Sequence, residues 1–148
     1  MTTSNTSNKK NISKLIASIQ SKPVGKRISY RGFTLLVTMP CWNEEGKVGP
    51  GVRAVPKDLV DTVCVVDNGF SDRTAEEARD AGALVISHPE NLGAGGGIRS
   101  GLEYGRQNNY DFLAVLAGDN QDDPNDLYKA LDKLIDENLD YIQGSRWL

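Results

Sequence analysis

The chain has 148 residues, of which 39% are hydrophobic and 25% are charged, and its formal net charge is -3. This length and composition are typical of one globular domain and exclude an intrinsically disordered protein. The acidic balance offers no basic face for nucleic acid, so an acidic substrate would need a metal ion, helix N-termini or a few placed arginines.

Neither a membrane-spanning helix nor a secretory signal is predicted from the hydropathy pattern. No stretch approaches the roughly 18 consecutive apolar residues that a span needs, and no apolar segment follows a basic start. We therefore expect a cytoplasmic protein. Cys41 and Cys64 lie in or beside apolar, strand-like runs without metal-ligand spacing. We interpret both as reduced packing residues.

Residues 1–22 are predicted to form a polar tail. The segment MTTSNTSNKK at 1–10 contains too little apolar surface to offset the entropy of ordering. A short amphipathic helix is predicted over 11–20, where four apolar residues recur at helical spacing: Ile12, Leu15, Ile16 and Ile19. This helix would either pack on the domain or make peripheral contact with a membrane surface.

From Gly32 onward, apolar and β-branched runs alternate with helix signals. Strands are predicted over 33–39, 62–67, 83–87, 111–117 and 140–144. Runs that are apolar on both faces are typical of parallel strands covered by helices on both sides. The sequence therefore predicts an α/β fold with a mainly parallel, Rossmann-like sheet between helical layers.

Three helices are predicted among these strands. Asp72 begins one that ends at Gly82, and Asp123 begins another with an apolar face formed by Leu127, Leu131, Leu134 and Ile135. A third presents one side composed of Ile98, Leu102 and Gly105. The segment 44–55 contains residues that argue against a regular helix: Gly46, Gly49, Pro50 and Gly51.

Polar residues follow the carboxyl ends of four predicted strands. The first strand leads to PCWNEE at 40–45, the second to Asp67, the third to NLGAGGGIRSG at 91–101, and the fourth to Asp119 and Gln121. Ligands of open parallel sheets bind in the crevice beyond the carboxyl ends of the strands. We therefore predict that these loops meet along one rim of the sheet.

Asp119 and Gln121 are candidate metal ligands. Two residues apart just past a strand, they can turn oxygen atoms toward one point. Mg²⁺ is usually held by one or two carboxylates, with waters and substrate phosphates completing its shell. The alternative is a solvated loop followed by a helix cap, which we prefer for Asp122 and Asp123.

The glycine-rich stretch is a candidate phosphate-binding or ribose-binding loop. Gly93 and Gly95 allow close backbone approach, so that amide hydrogens face a ligand at the start of a helix. The pattern G-x-G-x-x-G is not met because Ile98 stands in place of the third glycine. The loop also follows the third strand, whereas a dinucleotide fingerprint belongs after the first. A turn that needs no ligand remains the alternative.

Asp67 and His88 are two further candidates for a binding or catalytic role. Asp67 ends a strand beside Asn68 and Gly69, where it could accept a hydrogen bond from a nucleobase imide or a ribose hydroxyl; turn chemistry alone would also explain it. His88 is the single histidine of the chain and has no detectable triad partner. We interpret it as structural.

The motifs MPCWNEE, VVDNGFSD, NLGAGGGIRSG, GDNQDDP and GSR, in this order, resemble family-two inverting glycosyltransferases with the glycosyltransferase-A fold. Within that family they resemble the branch of dolichyl-phosphate mannose synthase and polyprenyl-phosphate sugar transferases. The likeness runs from Phe33 to Arg146. It implies that 33–148 is the nucleotide-sugar-binding part of a transferase with a UDP- or GDP-sugar donor, a divalent cation (Mg²⁺ or Mn²⁺), and an acceptor such as a polyprenyl or dolichyl phosphate.

The resemblance also implies roles for individual residues. Its nucleotide-pocket and base-binding motifs match Pro40, Asn43, Glu44, Glu45 and Asp67. The second aspartate of its metal motif matches Asp119, and a metal-binding glutamine matches Gln121. Arg146 matches an arginine that faces phosphates.

Three departures from the family pattern limit these implications. Asn68 replaces the second aspartate of the base-binding turn, Phe70 replaces a serine, and Ala117 stands in place of the first metal-binding aspartate. One carboxylate would then hold the cation, so a donor diphosphate would have to complete the site. The family's acceptor-binding region and its base lie beyond the last matched motif, so no catalytic residue is assigned.

Two alternative functions follow from the same residues. The departures keep open a non-catalytic nucleotide-sugar-binding fragment or module. A sugar-phosphate nucleotidyltransferase would need a glycine-rich, arginine-containing loop after the first strand, where this chain has PCWNEE.

Overall fold

The computed structural model describes Lys14, residues 30–69 and residues 71–145. The predicted tail and helix at 1–22 therefore lie outside the described residues except for Lys14, which is helical and exposed. Phe70 and Arg146 lie outside them as well.

Within residues 30–69 and 71–145, four strands alternate with four helices. The strands are β1 (Leu35–Cys41), β2 (Thr62–Asp67), β3 (Leu84–Ser87) and β4 (Phe112–Val115). The helices are α1 (Val48–Ala54), α2 (Thr74–Asp80), α3 (Gly93–Gln107) and α4 (Asp126–Asp136). Within the described part of the chain, none of these helices has the length and apolar character that crossing a membrane requires.

The strands form one parallel sheet in the order β3-β2-β1-β4. Cys41 lies opposite Asp67, and Asp67 lies opposite Ser87, so the carboxyl ends of β1, β2 and β3 are level. Following the chain, β2 and β3 are added on one side of β1, and β4 is then added on the other side of β1. This change of direction is a topological switch point, the place where open α/β sheets bind ligands.

Helices cover both faces of the sheet, as the sequence predicts. Alternate residues of β1 point to opposite faces: Leu35, Val37 and Met39 join the core under α1, α2 and α4, whereas Leu36 joins the core under α3. Of the predicted α4 face, Leu127 and Leu131 are buried, and Ile135 packs against the same core.

Helix α3 packs on β1 through glycines, which places its backbone close to the strand. Gly97, Gly101 and Gly105 recur every four residues, and positions two residues apart on β1 face them: Pro40, Thr38 and Leu36. A Cβ atom at Gly101 would lie 2.6 Å from the Thr38 Cβ. Of the three residues predicted to share one side of this helix, Gly105 is buried, whereas Ile98 and Leu102 are only half-buried.

Two sequence predictions of local structure are wrong. Residues 48–54 are helical despite their glycines and proline, because Gly49 is buried and its amide donates to Glu77 Oε1 (3.0 Å). Residues 140–144 are not a strand: they have no regular structure, and Tyr141 is 74% exposed. Nothing in the described residues pairs with this segment, so its strand-like composition has no ladder to join.

Candidate functional site

The carboxyl ends of the strands and their following loops form one continuous polar region. We call it the carboxyl rim, defined as residues 40–45, 67–69, 71–72, 91–97 and 116–122. Backbone hydrogen bonds connect its parts: Asn68 N–H donates to the Cys41 carbonyl (2.9 Å), and His88 N–H donates to the Asp67 carbonyl (2.8 Å). The rim therefore rests on the sheet itself.

Cys41 is the buried last residue of β1, and four carboxylates of the rim act electrostatically on its thiol. The pKa of its thiol is raised to about 12, mainly by burial and then by the negative charges of Glu44, Asp67, Asp119 and Asp72, in that order. These residues come from loops after three different strands, yet all act on one thiol. The structure thus brings together the predicted site residues Glu44, Asp67 and Asp119.

Asp67 is the most buried of the predicted polar site residues. It is 3% exposed, and burial is the main reason that its pKa is raised above the ordinary value. The neighbouring Asp72 raises the pKa further, whereas Arg79 lowers it. A desolvated carboxylate at the end of a strand is well placed to accept hydrogen bonds from a ligand that replaces water.

The segment after β1 is held against the start of α2. Asn43 has a positive φ of 53°, and its side-chain oxygen accepts a short hydrogen bond from Ser71 Oγ. Glu44 N–H donates to Thr74 Oγ1 (2.9 Å), and Glu44 Oε2 lies 3.2 Å from Lys47 Nζ. The predicted nucleotide-pocket residues Asn43 and Glu44 are therefore fixed in place on the rim.

The glycine-rich stretch forms the first turns of α3 at the rim. Gly93 has φ 76°, a conformation that favours glycine, and it opens the helix. A Cβ atom at Gly97 would lie 3.1 Å from the Pro40 Cβ, so this end of α3 rests on the end of β1. Gly95 is exposed. The positive end of the helix dipole thus points into the rim near Pro40.

The loop after β4 is folded around its own acidic residues. Gln121 N–H donates to Asp119 Oδ1 (3.1 Å), and Ala117 N–H donates to Asp122 Oδ2 (2.9 Å). Asn125 N–H donates to Asp123 Oδ1 (2.9 Å) before α4 begins. Asp122 and Asp123 thus serve the turn, as expected, but the predicted cap at Asp123 is wrong: the N-cap of α4 is Asn125, which makes no side-chain capping hydrogen bond. Asp119 is half-buried and Gln121 is exposed.

The donor set of the rim fits a cation that is shared with a ligand. Across residues 30–69 and 71–145, no group of three or more histidine, cysteine, aspartate or glutamate side chains could hold a metal ion alone. Asp119 and Gln121 supply two hard oxygen donors. Two such donors suit Mg²⁺ or Mn²⁺ only when phosphate oxygens complete the coordination shell. The predicted phosphate-facing residue Arg146 lies outside the described residues.

Sequence reasoning missed one residue that organises the rim. Asn68 is buried, and its carboxamide contacts the turn at 91–93 and the ring of His88. The sequence signal was present in the asparagine directly after Asp67, but its partners lie twenty or more residues away. His88 is itself buried and hydrogen-bonded through both ring nitrogens, as its structural interpretation requires.

Comparisons with known proteins agree with this geometry. Residues 36–148 match the model of Glycosyl transferase family 2. An uncharacterized protein of Methanocaldococcus jannaschii is 29% identical over 114 residues, which cover 77% of this chain and 47% of the relative. A UDP-N-acetylglucosamine–dolichyl-phosphate N-acetylglucosaminyltransferase of Methanococcus voltae is 25% identical over 129 residues, covering 76% of this chain and 51% of the relative. The chain thus spans about half the length of these two relatives.

Solved structures share the same fold. Glucosyl-3-phosphoglycerate synthase of Mycobacterium tuberculosis superposes with a TM-score of 0.59 at 24% identity, covering 83% of this chain and 44% of that chain. Its complex with Mn²⁺, UDP-glucose and phosphoglyceric acid has a TM-score of 0.51 at 26% identity, covering 60% of this chain and 34% of that chain. The parallel sheet with helices on both faces is therefore the glycosyltransferase-A architecture of nucleotide-sugar transferases.

Proposed function

The chain belongs to glycosyl transferase family 2, and from that premise we propose that residues 33–148 bind a UDP- or GDP-sugar at the carboxyl rim and present it for transfer of the sugar to an acceptor. The observation that best supports this is the convergence of Asp67, Asp119 and the glycine-rich start of α3 around Cys41 and Pro40. A hydrogen-bond acceptor for the base or ribose, a ligand for the cation and amide donors for the phosphates are then available within one crevice.

Each part of the donor has proposed partners on the rim. The base or ribose would donate a hydrogen bond to Asp67, beside Pro40, Asn43 and Glu44. The amides that open α3 at Gly93 and Gly95 would face a phosphate or ribose, because a helix N-terminus offers unpaired N–H groups and a favourable dipole. Arg146 would add a positive charge toward the phosphates.

Asp119 and Gln121 would hold the divalent cation together with the donor diphosphate. When bound, such a cation acts as a Lewis acid and stabilises negative charge on the leaving diphosphate. Asp119 is already oriented by the N–H of Gln121, which reduces the ordering that binding would require. The mycobacterial neighbour crystallised with Mn²⁺ and UDP-glucose supports this part of the proposal.

The proposed reaction is an inverting transfer. An acceptor oxygen attacks the anomeric carbon of the sugar, the bond from that carbon to the diphosphate oxygen breaks, and the nucleoside diphosphate leaves with the electron pair. The name of the M. voltae relative supports a polyprenyl or dolichyl phosphate as acceptor. A lipid phosphate is already anionic and needs little help from a base, whereas an alcohol would need one.

A non-catalytic nucleotide-sugar-binding module is the second candidate. It is favoured by the single carboxylate at the proposed metal position, where Ala117 stands in place of a second one. A product assay separates the two candidates. Nucleoside diphosphate released together with transfer of sugar to a polyprenyl phosphate, and abolished by Asp119→Asn, would exclude the binding-only function.

Calorimetric titration tests donor binding directly. The full chain is titrated with UDP-glucose and GDP-mannose, in Mn²⁺ and in chelator, as wild type, Asp119→Asn and the matched control Asp80→Asn at the end of α2, far from the rim. We expect Mn²⁺-dependent binding of one donor that Asp119→Asn weakens by about 10–100-fold and Asp80→Asn leaves unchanged. Equal affinity with chelator would contradict the cation's role, and no binding of any nucleotide sugar would overturn the proposed function.

A further inference from the structure

Asn68 is the hub of a buried polar network under the glycine-rich turn. Asn68, His88 and Ser100 are 5%, 1% and 0% exposed, respectively. The Asn68 Nδ2 group donates to Asn91 Oδ1 (3.0 Å) and to the Gly93 carbonyl (2.8 Å), while Leu92 N–H donates to Asn68 Oδ1 (2.9 Å). One side chain therefore holds the whole turn that opens α3.

Backbone groups fix which way the Asn68 amide points. A carbonyl only accepts and a backbone N–H only donates, so Gly93 must face Nδ2 and Leu92 must face Oδ1. Asn91 is oriented in the same way, because Gly93 N–H donates to its Oδ1 (2.8 Å). No choice of amide orientation remains in this network.

The orientation of Asn68 in turn determines the tautomer of His88. His88 Nδ1 lies 2.8 Å from Asn68 Oδ1, which can only accept, so Nδ1 carries the proton. Burial lowers the pKa of His88, which keeps the ring neutral. Its bare Nε2 then accepts from the Ser100 hydroxyl, 2.7 Å away on α3.

This network explains what the asparagine at position 68 does. A carboxylate in its place would set an oxygen against Asn91 Oδ1 and the Gly93 carbonyl, so that acceptors face acceptors and both hydrogen bonds to the turn are lost. It would also place a negative charge against a buried ring. An amide at this position is thus needed for the turn, whereas the family pattern has an aspartate.

We propose that Asn68 is a positioning residue that sets the turn at 91–93, and that His88, protonated on Nδ1, locks the Asn68 amide in the orientation the turn requires. The proposal rests on the proposed function in one respect: the positioned turn is the one that would face the donor. Neither residue needs to contact the donor.

The first test is spectroscopic and uses the unmodified chain. Because the sequence contains one histidine, a long-range ¹H–¹⁵N NMR spectrum at pH 7 reports His88 alone. We expect a neutral ring with a protonated Nδ1 and a bare Nε2. A ring protonated on Nε2, or on both nitrogens, would overturn the proposal regardless of any activity.

The second test compares Asn68→Asp with Asn108→Asp. Asn108 is a matched control because its amide also donates to the backbone of α3, at the Tyr104 carbonyl (2.8 Å), but at the opposite end of that helix. UDP and GDP are titrated with Mn²⁺, and the backbone amide signals of Gly93 and Gly95 are followed. We expect Asn68→Asp to shift both signals and to weaken binding at least about tenfold, with Asn108→Asp within about twofold of wild type.

The outcomes separate this inference from the proposed function. If the folded Asn68→Asp chain binds UDP or GDP like wild type and leaves the two amide signals unmoved, the positioning role is refuted. If the wild type binds neither nucleotide, the proposed function fails. Two readouts then still decide whether Asn68 sets the turn: the tautomer of His88, and the shifts of the Gly93 and Gly95 amide signals in Asn68→Asp. If Asn68→Asp does not fold, the tautomer in the wild type decides.

Discussion

The contact between α3 and β1 predicts that a single methyl group at Gly101 destabilises the fold. In Gly101→Ala, the new Cβ would lie 2.6 Å from Thr38 Cβ and 3.0 Å from Thr38 Cγ2, with Oγ1 nearer still. Thr38 is fully buried in the central strand, and its β-branched side chain is stiff about χ1. Neither partner can move aside easily.

Two opposing effects set the size of the change. Alanine is favoured over glycine within a helix by about 1 kcal/mol. Overpacking a filled core costs about 1–3 kcal/mol, and a contact this close lies at the upper end. We therefore expect Gly101→Ala to lower the free energy of unfolding by about 2 kcal/mol, a large part of the roughly 5–15 kcal/mol that stabilises a typical domain.

Urea unfolding followed by circular dichroism measures this difference. Gly95→Ala is the matched control, because the same helix contains it and, apart from its two chain neighbours and the backbone of its own helix, no heavy atom of the described residues would lie within 4 Å of its Cβ. It should raise stability by about 0.5–1 kcal/mol. In a Thr38→Ala background, which removes Oγ1 and Cγ2, Gly101→Ala should cost at least about 1 kcal/mol less. Gly101→Ala that is as stable as wild type, or equally costly in both backgrounds, would refute the packing argument.

Two further predictions follow from buried ionisable groups. Because the pKa of Asp67 is raised above its ordinary 3.8 in the folded chain, its contribution to stability is present below that value and is lost as pH rises through the folded pKa. Asp67→Asn should therefore raise the melting temperature at pH 7 while weakening nucleotide binding, and the stability gain should vanish below pH 4; an unchanged or lower melting temperature at pH 7 would contradict this. The pKa values of Cys41 and Cys64 are both raised to about 12, mainly by burial. At pH 8 a thiol reagent should therefore modify the native chain at least about 10³-fold more slowly than free cysteine. Rapid labelling that occurs only in urea would confirm this prediction. Fast modification of either thiol in the native chain would show that it is not buried as described.

Periodicity predicted the sheet because its strands are covered on both faces. The runs at 33–39, 62–67, 83–87 and 111–117 contain little besides apolar and β-branched residues, and β1 to β4 lie within two residues of those bounds at every end. The rule that ligands bind at the carboxyl ends of strands then predicted that the loops after these strands meet along one rim. Composition failed at 140–144, since a strand requires a neighbour and not only suitable residues.

Contacts between distant segments could not be predicted in the same way. The helix at 48–54 depends on Glu77, whose carboxylate accepts from the amides of Gly46 (2.6 Å) and Gly49 (3.0 Å), and no local pattern reveals a partner thirty residues away. From the sequence alone, Asn68 is likewise predicted only as a turn residue. Its contacts with Gly93 and His88 are seen only in the structure. Secondary-structure propensity is a property of a single residue, whereas the roles of Glu77 and Asn68 depend on contacts with residues distant in the sequence.

The electrostatics of the rim explain why a cation would be part of donor binding. Glu44, Asp67, Asp72 and Asp119 all raise the pKa of one buried thiol, so the crevice carries a concentrated negative field. A diphosphate entering that field is repelled unless positive charge accompanies it, and the dipole of α3 supplies only about half an elementary charge. A second carboxylate at Ala117 would bind a cation more tightly but would also strengthen the repulsion whenever the cation is absent. With Asp119 as the proposed carboxylate ligand, cation and diphosphate each provide what the other lacks, and neither has a complete site without its partner.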